Sequence, residues 1–330
     1  MKIYHLLILV GTALLFASCA KEVNESADAV EQRYLEAYVL THSYEGWQHT
    51  ASGLYYYIIP QGTQQSGTAP KGDNFLYMRY TTRAMDSTIV TTTVDSLAKM
   101  LGIHSKRDYY GPRLYTMEAG TGIRGIQEAF SYMKPEDKAH VLLPSWLSNY
   151  AESGARSHAT TVIYDLELLR VIPDMAVFQT DSLKRYSVEH FNGEDSLKYD
   201  WYFISTKAGT GELPAAGDTM KVRYAGYLLD SFLFDTNIKE VAELNYGDDV
   251  DASATYAELK VIIDDDVSKM SVVKGFAYAL QRMKDGEEAV TFFSSDYGYG
   301  AVTNNKIQPY SMLSFDIKVT IGRKKTEEGD

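Results

Sequence analysis

Apolar and polar positions along this chain follow two periods. Near the C-terminus, Leu313, Phe315, Ile317, Val319 and Ile321 alternate with more polar neighbours, the two-residue period of a strand with one buried face. Upstream, Val273, Phe276, Ala277, Leu280 and Met283 recur in steps of three and four, which predicts a helix with one apolar face. Lys284-Asp285-Gly286-Glu287 then predicts its stop, with glycine just past the end. Two further stretches have helical spacing: Val30, Tyr34, Leu35 and Tyr38, and, between Pro173 and Gly193, Leu183, Tyr186 and His190.

Both of these stretches lead into similar sequence. The first leads to Gly53-Leu54-Tyr55-Tyr56-Tyr57-Ile58-Ile59, a Gly/Gln/Ser-rich turn, Lys71-Gly72-Asp73 and Phe75-Leu76-Tyr77-Met78-Arg79-Tyr80. The second leads to Trp201-Tyr202-Phe203-Ile204, Gly209-Thr210-Gly211, Ala216-Gly217-Asp218 and Met220-Lys221-Val222-Arg223-Tyr224. Ile123-Arg124-Gly125-Ile126 parallels Val273-Lys274-Gly275-Phe276, and each copy closes on a strand, Thr161 to Leu169 and Ser311 to Ile321. Order kept over this length predicts two copies of one domain, each large enough to bury its own core. The expected class is α+β, a twisted antiparallel sheet on one short helix in each copy, with an added short helix before each.

A length of 330 residues agrees with two domains, and the apolar (45%) and charged (23%) fractions are those of globular protein. The net charge of −12 argues against nucleic acid as a partner, because phosphate binding needs a basic surface. No Gly-rich phosphate loop, His-Glu-x-x-His or His/Cys grouping is present, so neither cofactor nor metal is expected. The acidic clusters Asp248–Asp251 and Asp264–Asp266 lack calcium-loop spacing and are expected to be solvated. Ser157-His158 lies in no nucleophile motif.

The N-terminus reads as an export signal. Lys2 precedes a nearly continuous apolar run from Ile3 to Ala17, too short to span a bilayer comfortably. Phe16-Ala17-Ser18 then places small residues before Cys19, the sole cysteine. That position resembles the lipobox of bacterial lipoproteins, where the cysteine is cut and lipidated, and it implies an acyl anchor at Cys19. An ordinary secretory signal remains the alternative.

The second copy carries a further resemblance. Val222-Arg223-Tyr224-Ala225-Gly226-Tyr227-Leu228, Phe234-Asp235-Thr236, Val272-Val273-Lys274-Gly275-Phe276, Asp296-Tyr297-Gly298-Tyr299-Gly300 and Ile307-Gln308-Pro309, in this order with the strand through Phe315, resemble the motif series of FKBP-type peptidyl-prolyl cis-trans isomerases. The resemblance implies a shallow aromatic pocket that holds a proline ring. Phe276 would floor it, Tyr224, Phe234 and Phe315 would wall it, and Val272, Val273 and Ile307 would fill its edges. The Val273 amide and the Tyr299 hydroxyl would hold substrate carbonyls. Asp235 would orient a neighbouring hydroxyl or face the rotating carbonyl. Two departures stand out: Phe276 replaces the commoner tryptophan, and Gln308 replaces the first proline of a Pro-Pro pair. Extra sequence between Asp235 and Leu259 is expected to be either a loop bordering the pocket or disordered acidic surface.

The first copy matches poorly. Tyr80 stands where Tyr224 does, but Val90-Thr91 replaces Phe234-Asp235 and Ile126 replaces Phe276. Gly122-Ile123, Trp146-Leu147-Ser148-Asn149-Tyr150 and Arg156-Ser157-His158 occupy the remaining motif places. The expected layout is a signal peptide over 1–18, a lipidated segment with a short helix over 19–50 and a degenerate FKBP-like domain over 51–172. A linker helix over 173–198, an isomerase domain over 199–324 and a tail over 325–330 complete it. These features imply a lipid-anchored isomerase of the bacterial cell envelope, facing periplasm or exterior and acting on proline-containing polypeptides. A non-catalytic peptide-binding lipoprotein with a chaperone or scaffold role stays open beside it. Replacing Cys19→Ala is expected to release the protein from the membrane fraction, as read by fractionation and immunoblotting; unchanged membrane association would contradict the anchor.

Overall fold

The computed structural model describes residues 26–42, 46–60, 67–148, 161–303 and 306–322. Cys19 and the signal segment, Asn149-Tyr150 and Arg156-Ser157-His158 lie outside the described residues. In the first half, helix α1 (Ala27–Thr41) leads through β1 (Gln48–His49) to β2 (Tyr55–Ile59), β3 (Phe75–Arg83) and β4 (Ile89–Thr92). Helix α2 (Asp95–Met100), β5 (Arg113–Thr116), α3 (Arg124–Ser131), β6 (Lys138–Leu143) and β7 (Val162–Ile172) complete it. The second half runs α4 (Met175–Phe191), β8 (Trp201–Lys207), β9 (Thr219–Leu228), β10 (Leu233–Thr236), α5 (Lys239–Tyr246), β11 (Leu259–Ile262), α6 (Lys274–Leu280), β12 (Glu288–Phe293) and β13 (Leu313–Gly322).

The strand order is β1-β2-β6-β7-β3-β4, with β5 also on β3, in one sheet, and β8-β12-β13-β9-β10, with β11 also on β9, in the other. Counted from β2 and from β8, the two orders coincide, and every strand pairing is antiparallel. Register confirms the duplication residue by residue: Tyr80 faces Leu166 as Tyr224 faces Ile317. The α+β architecture of two like domains is therefore as the sequence periods imply.

The layers are richer than one helix per sheet. On the inner face, α6 buries Phe276, Ala277, Ala279 and Leu280, and α3 buries Ile126, Ala129 and Phe130. Helix α6 closes at Leu280, earlier than the apolar steps predicted, because Met283 is buried from the turn beyond the helix. Gly286 supplies a left-handed residue (φ 73°) before β12.

The helix before each sheet covers its outer face. Leu35 packs with Tyr55, Leu142 and Ile163, and Leu183 packs with Tyr202 and Phe292. Both helices start on side-chain caps, Ser26 accepting from the Ala29 amide and Asp174 from the Val177 amide. Their polar contacts also correspond. Glu31 accepts from the Ser145 amide at 2.9 Å and the Ser145 hydroxyl at 2.5 Å. Gln179 accepts from the Ser295 amide at 2.7 Å and donates to its hydroxyl at 3.0 Å. Further along each helix, Tyr38 stacks on His42 and Tyr186 meets His190. The helix expected as a linker is thus packed into the second repeat, as α1 is packed into the first.

The extra sequence after Asp235 is ordered structure. Helix α5 buries Ala242 and Tyr246 beside Ala225 and Leu233, and α2 stands at the same place in the first repeat. The acidic stretch behind α5 meets the other repeat instead of standing wholly in solvent. The Lys106 amide donates to Asp249 at 2.6 Å, and Arg107 pairs with Asp251 at 3.6 Å. Nearby, the Tyr109 hydroxyl donates to Asp230 at 2.7 Å while its ring meets Phe232 edge-on.

Replacing Gln179→Ala is expected to lower stability by about 1–3 kcal/mol, because the buried Ser295 amide loses its acceptor. Urea unfolding measures it; an unchanged midpoint would show that α4 does not depend on this contact.

Candidate active site

The site is built on the central strand pair of the second sheet. In β9, Tyr224 lies opposite Ile317 and Gly226 lies opposite Phe315. On the other side of β9, the register with β10 shifts between Leu233 and Asp235, so Phe234 is the extra residue of a bulge. A bulge breaks strict alternation and re-aims side chains. Phe234 turns inward, 6% exposed, while the exposed carboxylate of Asp235 reaches the same cavity.

Glycine at 226 is a steric requirement. A Cβ there would lie 2.7 Å from Phe234 Cζ and 2.8 Å from Phe315 Cε1. The missing side chain lets the two rings meet across the strand, centroids 5.6 Å apart at 89°. Gly275 does the same beneath α6, where a Cβ would stand 2.4 Å from Phe293 Cδ1. The helix can then approach β12 and lay Phe276 against Phe315 at 5.0 Å and 88°. Tyr224 meets Phe276 edge-on at 5.7 Å. These edge-to-face contacts each add about 0.5–1.5 kcal/mol beyond area burial, so the walls are held by the same packing that stabilises the core.

The cavity they enclose measures about 430 Å³ and is lined by Tyr224, Phe234, Asp235, Leu259, Met270, Ser271, Val272, Val273, Phe276, Tyr299 and Phe315. Eight of the nine pocket residues expected from sequence are therefore brought together. Ile307 is placed differently: it is 3% exposed, packed in the second repeat's core, and is not part of the cavity lining. Leu259, Met270 and Ser271 were missed. They lie on β11 and on the approach to α6, where short, irregular segments leave no periodicity that marks a lining residue.

Its polar side centres on Asp235. The Tyr224 hydroxyl donates to Asp235 Oδ2 at 2.6 Å. Burial, then the bond to Asp235 and that group's charge, hold the Tyr224 phenol well above the usual tyrosine range. Burial, followed by the charge of Asp235, also raises Tyr299, which stays 37% exposed at the mouth. Both phenols therefore remain donors at neutral pH. Lys306 stands behind this edge, its ammonium donating to the Phe234 carbonyl at 3.0 Å. The backbone of Val273 is extended (φ −63°, ψ 150°) just ahead of α6, and its amide has no acceptor among the described residues. The arrangement can seat a small apolar ring against three phenylalanines while donors at the rim take carbonyl oxygens.

The first repeat keeps the scaffold and lacks these walls. Its β3–β4 register shifts at the matching place, making Val90 the bulged residue. Val90 is 67% exposed, so nothing projects inward where Phe234 does. Thr82 stands opposite Tyr164 as Gly226 stands opposite Phe315, and it is buried. Ile126 sits in the core at the place of Phe276. Among the described residues, His/Cys/Asp/Glu groups able to hold a metal ion are absent.

A compact pocket walled by rings, with hydrogen-bond donors at its rim, is suited to holding a small apolar group. Comparison with known proteins narrows the class. A family model described as FKBP-type peptidyl-prolyl cis-trans isomerase matches residues 210–320. FK506-binding protein 1B of Neurospora crassa is 34% identical over 115 residues, which cover 34% of this chain and 90% of that protein. Peptidyl-prolyl cis-trans isomerase FKBP4 of Homo sapiens is 29% identical over 131 residues, 38% of this chain and 24% of that protein. Among solved structures, the three FKBP domains of wheat FKBP73 align over 83% of this chain and 97% of that one, at 17% identity and a TM-score of 0.31. The chain belongs to the FKBP-type peptidyl-prolyl cis-trans isomerase family.

The raised Tyr224 pKa has a definite sign for stability. The folded state keeps a proton that the unfolded chain releases near pH 10. The contribution is complete below about pH 10 and is lost as pH rises further. Urea midpoints measured from pH 8 to about pH 11.5 should fall less steeply for Tyr224→Phe than for the wild type. Parallel curves would show that this phenol titrates normally.

Proposed function

We propose that the second repeat catalyses cis/trans isomerisation of X-Pro bonds through the pocket floored by Phe276, and that the first repeat is catalytically silent. The observation that carries this is the closed set of rings at Phe234, Phe276 and Phe315 beside the Tyr224–Asp235 hydrogen bond. Rotation about an X-Pro bond is slow because it breaks amide resonance, against a barrier of roughly 18–20 kcal/mol. Catalysis needs no covalent step. The twisted amide has less charge separation than the planar one, so a pocket with apolar walls favours the twisted form relative to the ground state. Phe276, Phe234 and Phe315 supply those walls. The Val273 amide and Tyr299 hydroxyl hold the flanking carbonyls, and Tyr224 fixes Asp235 at the edge where the carbonyl rotates.

Two further elements complete the proposal. The export-type N-terminus and Cys19 support a lipid-anchored protein of the bacterial envelope, so its substrates are proline-containing segments of exported chains. The exposed Val90 and buried Thr82 support silence of the first repeat, since no ring cage forms there.

Protein lacking the residues before Cys19 is expected to accelerate exchange in a short X-Pro peptide. Phe276→Ala and Asp235→Ala should each lower kcat/KM by about tenfold or more, and Tyr299→Phe by less, roughly the contribution of one hydrogen bond. Coupled-protease or NMR exchange assays measure these rates. Equal acceleration by wild type and all three variants would place the activity elsewhere.

A further inference from the structure

The loop that carries Tyr299 is tied to the other repeat by a side chain without a role in the pocket. Gln308 accepts from the Leu114 amide at 2.8 Å and donates to the Pro112 carbonyl at 2.9 Å. Leu114 belongs to β5, whose strand partner is β3. Its amide points away from β3, since it donates to Gln308, and such an outward donor on an edge strand needs a partner when covered. The Gln308 amide supplies both halves of a backbone-like pair. A proline at 308, which the motif resemblance leads one to expect, has no side-chain amide with which to do this.

The tie passes directly to the pocket. Tyr310 adopts a left-handed backbone (φ 58°), meets Phe75 of β3 edge-on at 5.0 Å, and donates its amide to the Gly300 carbonyl at 2.7 Å. Gly300 follows Tyr299, whose hydroxyl stands at the pocket mouth. Contacts from the first repeat thus hold this segment at Gln308 and Tyr310, and the Tyr310–Gly300 hydrogen bond links that end to the residue beside Tyr299.

We infer that the first repeat is a built-in holder for the substrate-binding loop of the second, with Gln308 as its positioning residue. The inference rests on the isomerase reading for its kinetic consequence, but its structural part stands alone. An untethered loop samples positions in which Tyr299 cannot meet the substrate carbonyl. Lost uniform binding raises KM and leaves kcat little changed.

The test uses the two-repeat protein and three single variants. Gln308→Ala should raise KM for a short X-Pro peptide about three- to tenfold with kcat nearly constant, as expected for losing one or two hydrogen bonds. It should also speed hydrogen exchange at the Gly300 and Tyr310 amides. Gln308→Glu keeps an acceptor for Leu114 but sets a carboxylate oxygen against the Pro112 carbonyl, so it too should raise KM and speed exchange. Leu114→Pro removes the matching donor from the other repeat without costing β5 a bond to β3. It should reproduce the Gln308→Ala phenotype, and the double variant should be no worse than either single one. Wild-type KM and exchange in Gln308→Ala would overturn the inference, as would an effect of Gln308→Ala that Leu114→Pro does not share. If the wild type shows no catalysis, the isomerase reading fails instead, and the exchange rates alone decide whether the first repeat holds the loop.

Discussion

The ring of Phe315 is the point on which the second repeat turns. It touches Phe276, Phe234, Phe293 and Tyr224, with centroids between 5.0 and 6.3 Å. One side of this ring belongs to the core under α6 and the other to the cavity wall. Site and core are therefore a single packing problem. A pocket of this kind is preorganised at no separate expense, because rotamers fixed by core packing are already fixed for binding. The same coupling restricts what can be altered, since a change of volume at any of these rings is felt on both sides.

Against that constraint the two repeats diverge in an orderly way. They share strand order, the bulge before the pocket, the preceding helix and its grip on Ser145 or Ser295. They differ where rings meet across the central strand. With Val90 turned outward, the first repeat has room for Thr82, and a threonine fills the gap that a glycine would leave. The fold is indifferent to this exchange because either solution closes the core. The pocket is not, because only one of them leaves a ring-lined cavity of the right shape.

Much of this was legible in the sequence because periodicity reports burial. The alternation through Phe315 and the helical steps through Phe276 located the elements that carry the walls, and the doubled order exposed the repeat. Ile307 is buried in the same core cluster as Phe276 and Phe315 and is not among the cavity-lining residues, a distinction that a motif position alone does not make. The acidic stretch around Asp249 and Asp251 looked solvated, since nothing local marks a contact with Lys106 and Arg107 from far along the chain. Gln308 was visible only as a departure from expectation. Its meaning depends on the outward edge of β5, a feature of tertiary arrangement that no sequence window contains.

The exchange between Gly226 and Thr82 also bears on reversibility. An aromatic ring turned inward from position 90 would meet a threonine at 82 where Phe234 meets a glycine at 226. Emptying position 82 alone would leave a void beside Tyr164. Each single step between the two arrangements thus passes through a less well packed protein, since a Cβ at the glycine position meets the ring and loss of the ring beside a glycine leaves a void. Packing therefore sets a barrier between a ring-lined cavity and a filled core that no one substitution crosses without loss of stability.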